Sequence, residues 1–233
     1  MEQKGLYTIL NQDKYTCNWQ KIDDIPNIEE LQKTILGIAI KRDINKMTPL
    51  KPLFFDLINN FILSNPHPIW NNSALKNGLL FISEPESKQG LHVDGFADRV
   101  NNIINSRTGA SDIALNIPIY NCGQGTMHWY GGAKFSLIEK EVNQEKIKKH
   151  GARVQTHDFG LAHNKMRSPP RSGRKKKFLK LTWEGEPVEI DHVLIDQPHL
   201  VRINVPHQTA NASTDRRMML SLRFDPELKF DII

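Results

Sequence analysis

Asp112-Ile113-Ala114-Leu115-Asn116-Ile117-Pro118-Ile119-Tyr120-Asn121 is the stretch whose pattern decides the fold. Successive side chains of a strand point to opposite faces. Ile113, Leu115, Ile117 and Ile119 therefore share one face, and Asp112, Ala114, Asn116, Pro118 and Tyr120 share the other. Arg217 to Phe224 repeats the pattern, with Met218, Leu220, Leu222 and Phe224 on one face and Arg217, Met219, Ser221 and Arg223 on the other. The aliphatic faces call for an apolar cover. The polar faces suit a ligand cleft, because each buried polar group needs a partner and a ligand supplies one; solvent is the plainer alternative. Pro118 is a caution within this reading, since proline belongs at a sheet edge or a bulge.

The cover is found upstream. Asn27 with Glu30 reads as a capping box, and Ile28, Leu31, Ile35 and Ile38 follow at helical spacing. A second helix is expected from about Pro52 to Ser64, with Leu53, Phe54, Leu57, Ile58, Phe61 and Ile62 as its apolar stripe and Asn65-Pro66 as its stop. Strand and turn signals dominate after residue 78. Helices first and strands after imply an α+β chain, mainly β, with the helices backing one sheet.

At 233 residues, the chain is long enough for one sizeable core, and a single domain over 1–233 is expected. Its helical part would span 1–77 and its strand-rich part 78–233. No apolar run is long enough for a membrane-spanning helix, and no basic–apolar–small leader pattern opens the chain. Two cysteines, Cys17 and Cys122, make no disulfide framework, so free thiols and a cytoplasmic setting are expected.

The chemistry-bearing residues fall on the strand-rich part. His92-Val93-Asp94 follows the strand-like run Leu79-Leu80-Phe81-Ile82, His207 ends the run from Leu200 to Val205, and Arg217 opens the run to Phe224. A His-X-Asp pair with one distant His is the ligand set of the facial triad, which leaves positions open on the metal's far side. The plain alternatives are a loop His with a turn-forming Asp, and a strand-end His that hydrogen-bonds locally. In this order and setting, with an Arg ten residues after the distal His, the residues resemble the Fe(II)/2-oxoglutarate-dependent oxygenase superfamily, in its prolyl-hydroxylase-like or phage-type members. The family-bearing residues cover roughly 90–130 and 193–225.

The resemblance implies a double-stranded β-helix, or jelly roll, with the N-terminal helices packed on its major sheet. It implies His92, Asp94 and His207 as Fe(II) ligands, 2-oxoglutarate as co-substrate, O2 as oxidant and ascorbate as a stimulant. Arg217 would grip the far carboxylate of the co-substrate through parallel hydrogen bonds, with Ser221 adding a hydroxyl. Arg217-X-X-Leu220-Ser221-X-Arg223 is similar to the two-arginine strand of nucleic-acid demethylases in the superfamily, but lacks their intervening Asn. Arg223 is carried over on that pattern, with an ion-paired or surface Arg as its alternative. Asn116 and Tyr120 are further co-substrate candidates, against ordinary sheet-face roles. Trp129 is either a pocket wall or core. The distal His–Arg spacing is similar to that of the prolyl-hydroxylase-like members, which puts a peptide or protein side chain first among substrates. A nucleic-acid base and a small metabolite remain alternatives.

The long gap between Asp94 and His207 implies an insertion at about 140–192. It holds Lys165 to Lys180, with eight basic residues, no acidic one, and Pro and Gly that argue for a loop. A solvated basic loop is the plain reading, and a polyanion contact the sharper one. His157-Asp158 with His150 and His163 offers a weaker metal-phosphohydrolase reading, which would need a helix that Gly151 and Gly160 disfavour. Asp191-His192 reads as surface polar sequence. A jelly-roll binding protein without turnover is the rival from a different class, although such a shell has no need of His92, Asp94, His207 and Arg217 together.

Overall fold

The alternating strands pair as one long rolled ribbon. A computed structural model of the chain describes residues 6–9, 17–94, 97–98, 103–104, 112–142 and 176–230. Its elements in chain order are β1 (Leu6–Ile9), β2 (Trp19–Lys21), α1 (Ile28–Lys41), β3 (Thr48–Pro49), α2 (Phe55–Ser64), β4 (Ala74–Ser83), β5 (Ser87–Lys88), β6 (Ala97–Asp98), β7 (Ile103–Ile104), β8 (Ile113–Tyr120), β9 (Gly125–Gly131), β10 (Lys134–Val142), β11 (Lys176–Glu184), β12 (Val188–Leu194), β13 (His199–Arg202), β14 (His207–Asn211) and β15 (Arg217–Asp225). Antiparallel pairs nest: β9 with β12, then β8 with β13, β5 with β14, and β4 with β15. Each pair brackets the previous one in sequence. Cross-pairs β9–β14 and β8–β15 then roll the ribbon into two sheets. One has six strands in the order β2-β13-β8-β15-β4-β3, and the other four in the order β12-β9-β14-β5. This is a double-stranded β-helix, the jelly-roll solution to paired edges.

The aliphatic faces turn to the helices as the alternation requires. Ile113, Leu115, Ile117, Leu220, Leu222 and Phe224 share a buried cluster with Leu31 and Ile35 of α1 and Ile58 and Ile62 of α2. Burying each large aliphatic side chain of this kind contributes about 1.5–3 kcal/mol. Helix α2 begins at Phe55 rather than near Pro52, and Phe54 before it is fully buried. The capping box at Asn27 does not form. Asn27 adopts a left-handed conformation (φ 56°) without a side-chain cap bond, and its Nδ2 donates to Asn65 Oδ1 at 2.7 Å, tying the start of α1 to the end of α2.

Strand β8 lies between β13 and β15, an awkward place for proline. The chain resolves this with a bulge. Met218 faces Tyr120 and Met219 faces Pro118, which leaves Ile119 as the extra residue. Gln32 Nε2 of α1 donates to the Pro118 carbonyl at 2.7 Å.

The expected insertion has different bounds. The added hairpin is β10 with β11, opening at Lys134 and closing at Glu184. Val188–Leu194, inside the expected range, is instead a strand of the roll, because it pairs with β9. Most of the basic stretch lies outside the described residues, as do His150, His157, Asp158 and His163. Its end, Lys176–Lys180, is strand rather than loop: it pairs with Ile138–Val142, with Lys177 opposite Glu141 in register. β10 also pairs with β1, which joins β7 and β6 in the same sheet. No helix among the described residues is long and apolar enough to cross a membrane. Cys17 and Cys122 are free thiols.

Candidate metal and carboxylate site

The two histidines are brought together by main-chain pairing. His207 opens β14, after a break at residues 203–206 that ends the expected run from Leu200. The chain after β5 runs antiparallel beside it. Gln89 N–H donates to the Thr209 carbonyl at 2.8 Å; His92 and His207 exchange backbone bonds of 3.0 and 2.8 Å; Asp94 N–H donates to the Ile203 carbonyl at 2.8 Å. The rings stand 4.3 Å apart, tilted by 56°.

The hydrogen bonds also set the tautomers. His92 Nδ1 donates to the Gly90 carbonyl at 2.7 Å, and His207 Nδ1 to the Val205 carbonyl at 2.8 Å. A carbonyl only accepts, so each Nδ1 carries a proton, and Nε2 is the ring nitrogen of each that is suited to ligate a metal. His92 Nε2 lies 3.7 Å from Asp94 Oδ1. One ligand atom from each of His92, Asp94 and His207 falls within 4.8 Å of the others, and among the described residues this is the group that could hold a metal ion. Both imidazoles are buried, whereas Asp94 is half-buried.

A polar chain holds Asp94 from behind. Arg223 Nη2 donates to Asp94 Oδ2 at 3.4 Å, while Nη1 donates to Ser221 Oγ at 2.7 Å. Ser221 Oγ in turn donates to Asn116 Oδ1 at 2.5 Å. Burial pulls the Arg223 guanidinium below its ordinary pKa, and the Asp94 and Glu227 carboxylates oppose that shift. Arg223 is thus the ion-paired Arg of the sequence alternatives, and the carboxylate it pairs with is a candidate ligand.

Arg217 is different. It is 2% exposed and lines the same cavity as His92, Asp94 and His207. Nη1 donates to the Ala210 carbonyl at 3.0 Å, but Nε has no partner. No carboxylate among the described residues pairs with it, and burial lowers its pKa. The neighbouring Arg216 points outward to Glu84 at 3.2 Å, as strand alternation requires.

The cavity brings together seven of the eight sequence candidates: His92, Asp94, Asn116, His207, Arg217, Ser221 and Arg223. Tyr120 is not among them. The bulge after Pro118 sets Tyr120 opposite Met218, on the face that packs toward the helices, and leaves it 46% exposed. Trp129 is core: it is 1% exposed, and its Nε1 donates to the Arg202 carbonyl at 2.8 Å. Asp191 holds Asn18 and Trp19 at 3.1 and 3.3 Å, away from the cavity. Sequence reasoning missed Gln89, Thr209 and Met127, which also line the cavity. Thr209 sits two residues beyond His207 on one strand, so alternation could have found it. Gln89, whose Oε1 accepts from Thr209 Oγ1 at 2.6 Å, had no such signal.

No family model matches the chain, and no curated protein matches it in sequence. Among solved structures it is similar to a prolyl-4-hydroxylase of Pseudomonas putida, at TM-score 0.41 and 8% identity over 92% of this chain and 95% of that one. It is also similar to HygX of Streptomyces hygroscopicus, at TM-score 0.39 and 13% identity over 89% of this chain and 81% of that one.

Proposed function

We propose that the chain is an Fe(II)- and 2-oxoglutarate-dependent oxygenase that hydroxylates a peptide or protein side chain. The observation that carries this reading is the placing of two complementary groups in one cavity. At one end, one ligand atom from each of His92, His207 and Asp94 lies within 4.8 Å of the others. At the other, the buried guanidinium of Arg217 has an unpartnered Nε. Two neutral nitrogens and one carboxylate suit Fe(II) and leave it positive, and an unpaired guanidinium suits a carboxylate. A 2-oxo diacid answers both ends.

In this reading, Fe(II) is held by His92, Asp94 and His207 and, with 2-oxoglutarate and O2, supplies the oxidising chemistry. The remaining residues position groups. Arg217 binds the far carboxylate. Arg223, which donates to Asp94 Oδ2, would orient the carboxylate as a ligand. Phe81, Met127, Ile203 and Met219 give the cavity an apolar lining. That lining keeps water from the reacting atoms and strengthens the charge pairing. The reading takes the whole chain as one oxygenase domain in a reducing cytoplasm. A side-chain substrate rests on the distal His–Arg spacing. A nucleic-acid substrate would rest on the basic stretch, and neutralising Lys175, Lys176 and Lys177 tests it: polyanion binding that is absent or flat in salt sinks that version.

Anaerobic titration of the metal-free protein with Fe(II) and 2-oxoglutarate tests the main reading, with the visible charge-transfer band as readout. The band is expected in the wild type, absent in His207→Ala, and shifted to higher 2-oxoglutarate concentration in Arg217→Ala. A folded wild type that gives no band refutes the reading and favours a binding protein without turnover.

A further inference from the structure

Gly125 opens β9 and pairs with Asn211, four residues along β14 from His207. At a rise of about 3.3 Å per residue, that is on the order of 13 Å from the metal end. A Cβ built on Gly125 would stand 2.1 Å from Nη1 of Arg217, 2.5 Å from Cδ and 2.9 Å from Cζ. No real Cβ tolerates such contacts. Gly125 does not have a positive φ, so the chain needs glycine here for space and not for conformation. The guanidinium lies against bare main chain, with the Ala210 carbonyl as the acceptor for Nη1.

We infer that Gly125 is the positioning residue that sets the length of 2-oxo diacid the site accepts. The inference rests on the oxygenase reading and adds its selectivity. The hydrogen at Gly125 lets the Arg217 guanidinium lie back against the β9 main chain, instead of reaching further into the cavity that it shares with His92, Asp94 and His207. A methyl group at 125 displaces the guanidinium into the cavity, toward His207. The gap then shortens, and the longer diacid loses more than the shorter one. The colliding atoms belong to a side chain, so the Arg moves before the strands do.

The test is the apparent Kd in the anaerobic Fe(II) titration for three probes: 2-oxoglutarate, the four-carbon diacid oxaloacetate, and 2-oxopentanoate, which has no far carboxylate. In Gly125→Ala, 2-oxoglutarate is expected to bind at least tenfold more weakly, and 2-oxopentanoate within twofold of wild type. The preference for 2-oxoglutarate over oxaloacetate should fall. An unchanged ratio of 2-oxoglutarate to 2-oxopentanoate affinity overturns the inference while leaving the oxygenase reading intact; a wild type that binds none of the probes overturns both. A second comparison separates displacement of Arg217 from general damage at β9. In an Arg217→Ala background nothing remains for the methyl group to push, and adding Gly125→Ala is expected to leave residual binding unchanged. A further loss there as large as in the wild type overturns the inference.

Discussion

Replacing Arg217 with Met should change the stability of the metal-free protein little and disable it as a receptor for a diacid. The guanidinium is 2% exposed, makes one hydrogen bond to Ala210 and has an unpartnered Nε. Its lowered pKa has desolvation as the main cause. The charged form is therefore disfavoured by folding at every pH below that pKa, and across the neutral range the penalty is constant. Substituting well-packed apolar groups for buried ionic ones is neutral or stabilising by about 1–4 kcal/mol. The Ala210 carbonyl, left without this donor, gives back about 1–3 kcal/mol. The stability of the metal-free Arg217→Met protein should thus stay within about 3 kcal/mol of wild type in urea unfolding. For the diacid the loss is large. Two charge-assisted hydrogen bonds at about 1.5–3 kcal/mol each make roughly 3–6 kcal/mol, or roughly 10²–10⁴ in affinity. Wild type with Fe(II) and 2-oxoglutarate at a hundred times Kd should gain about 2.7 kcal/mol from the ligand, and the variant almost none at that concentration. A variant destabilised by more than about 3 kcal/mol that keeps its ligand-induced gain would show Arg217 to be structural, and the carboxylate reading would fall.

Three further predictions rest on separate parts of the molecule. Arg223→Met removes the Arg223 donor from Asp94 Oδ2, and Fe(II) affinity should fall by roughly 10–100-fold, the usual cost of losing a group that orients a ligand; calorimetric titration without co-substrate reads it, and an unchanged affinity would mean that the 3.4 Å contact orients nothing. Leu220→Ala, at a fully buried position between the main sheet and the helices, should cost about 2–5 kcal/mol of stability, and a loss below 1 kcal/mol in denaturant unfolding would contradict the packing. Burial lowers the pKa of His199 below that of the unfolded chain, so its contribution to stability is complete above about pH 6.5 and lost as pH falls toward the folded value. Stability measured from pH 7 to 5 should fall less steeply in His199→Gln than in wild type; equal slopes refute the assignment.

The major sheet was legible because its two decisive strands each bury one face under helices. Ile113, Leu115, Ile117, Leu220 and Leu222 could only alternate as they do if one side met apolar cover, and α1 and α2 provide it. Ends and insertions were less legible, because they depend on pairing partners far away in sequence. Asn27 looks like a cap in its own neighbourhood, yet Asn65 claims its side chain. Val188–Leu194 carries no alternation that marks it as roll rather than insertion, and β9 decides the matter by pairing with it.

The candidate site divides along the same line. Side chains that alternate on one unbroken strand, such as Arg217, Ser221 and Arg223, could be assigned to a face from sequence. Tyr120 could not, because one extra residue in the strand turns every later side chain to the other face. Pro118 was the warning of that bulge, but it gave neither the bulge's position nor the direction of the turn. Gly125 shows the deeper limit. The sequence presents a glycine at a strand end, whereas the structure presents the space that a buried arginine occupies. Strand β15 supplies the guanidinium and β14 its one carbonyl acceptor, while β9 supplies only the absence of a side chain. A periodic pattern can announce the first and place the second. The third becomes visible only when the strands are rolled together, which is why the determinant of ligand length lies where the sequence says least.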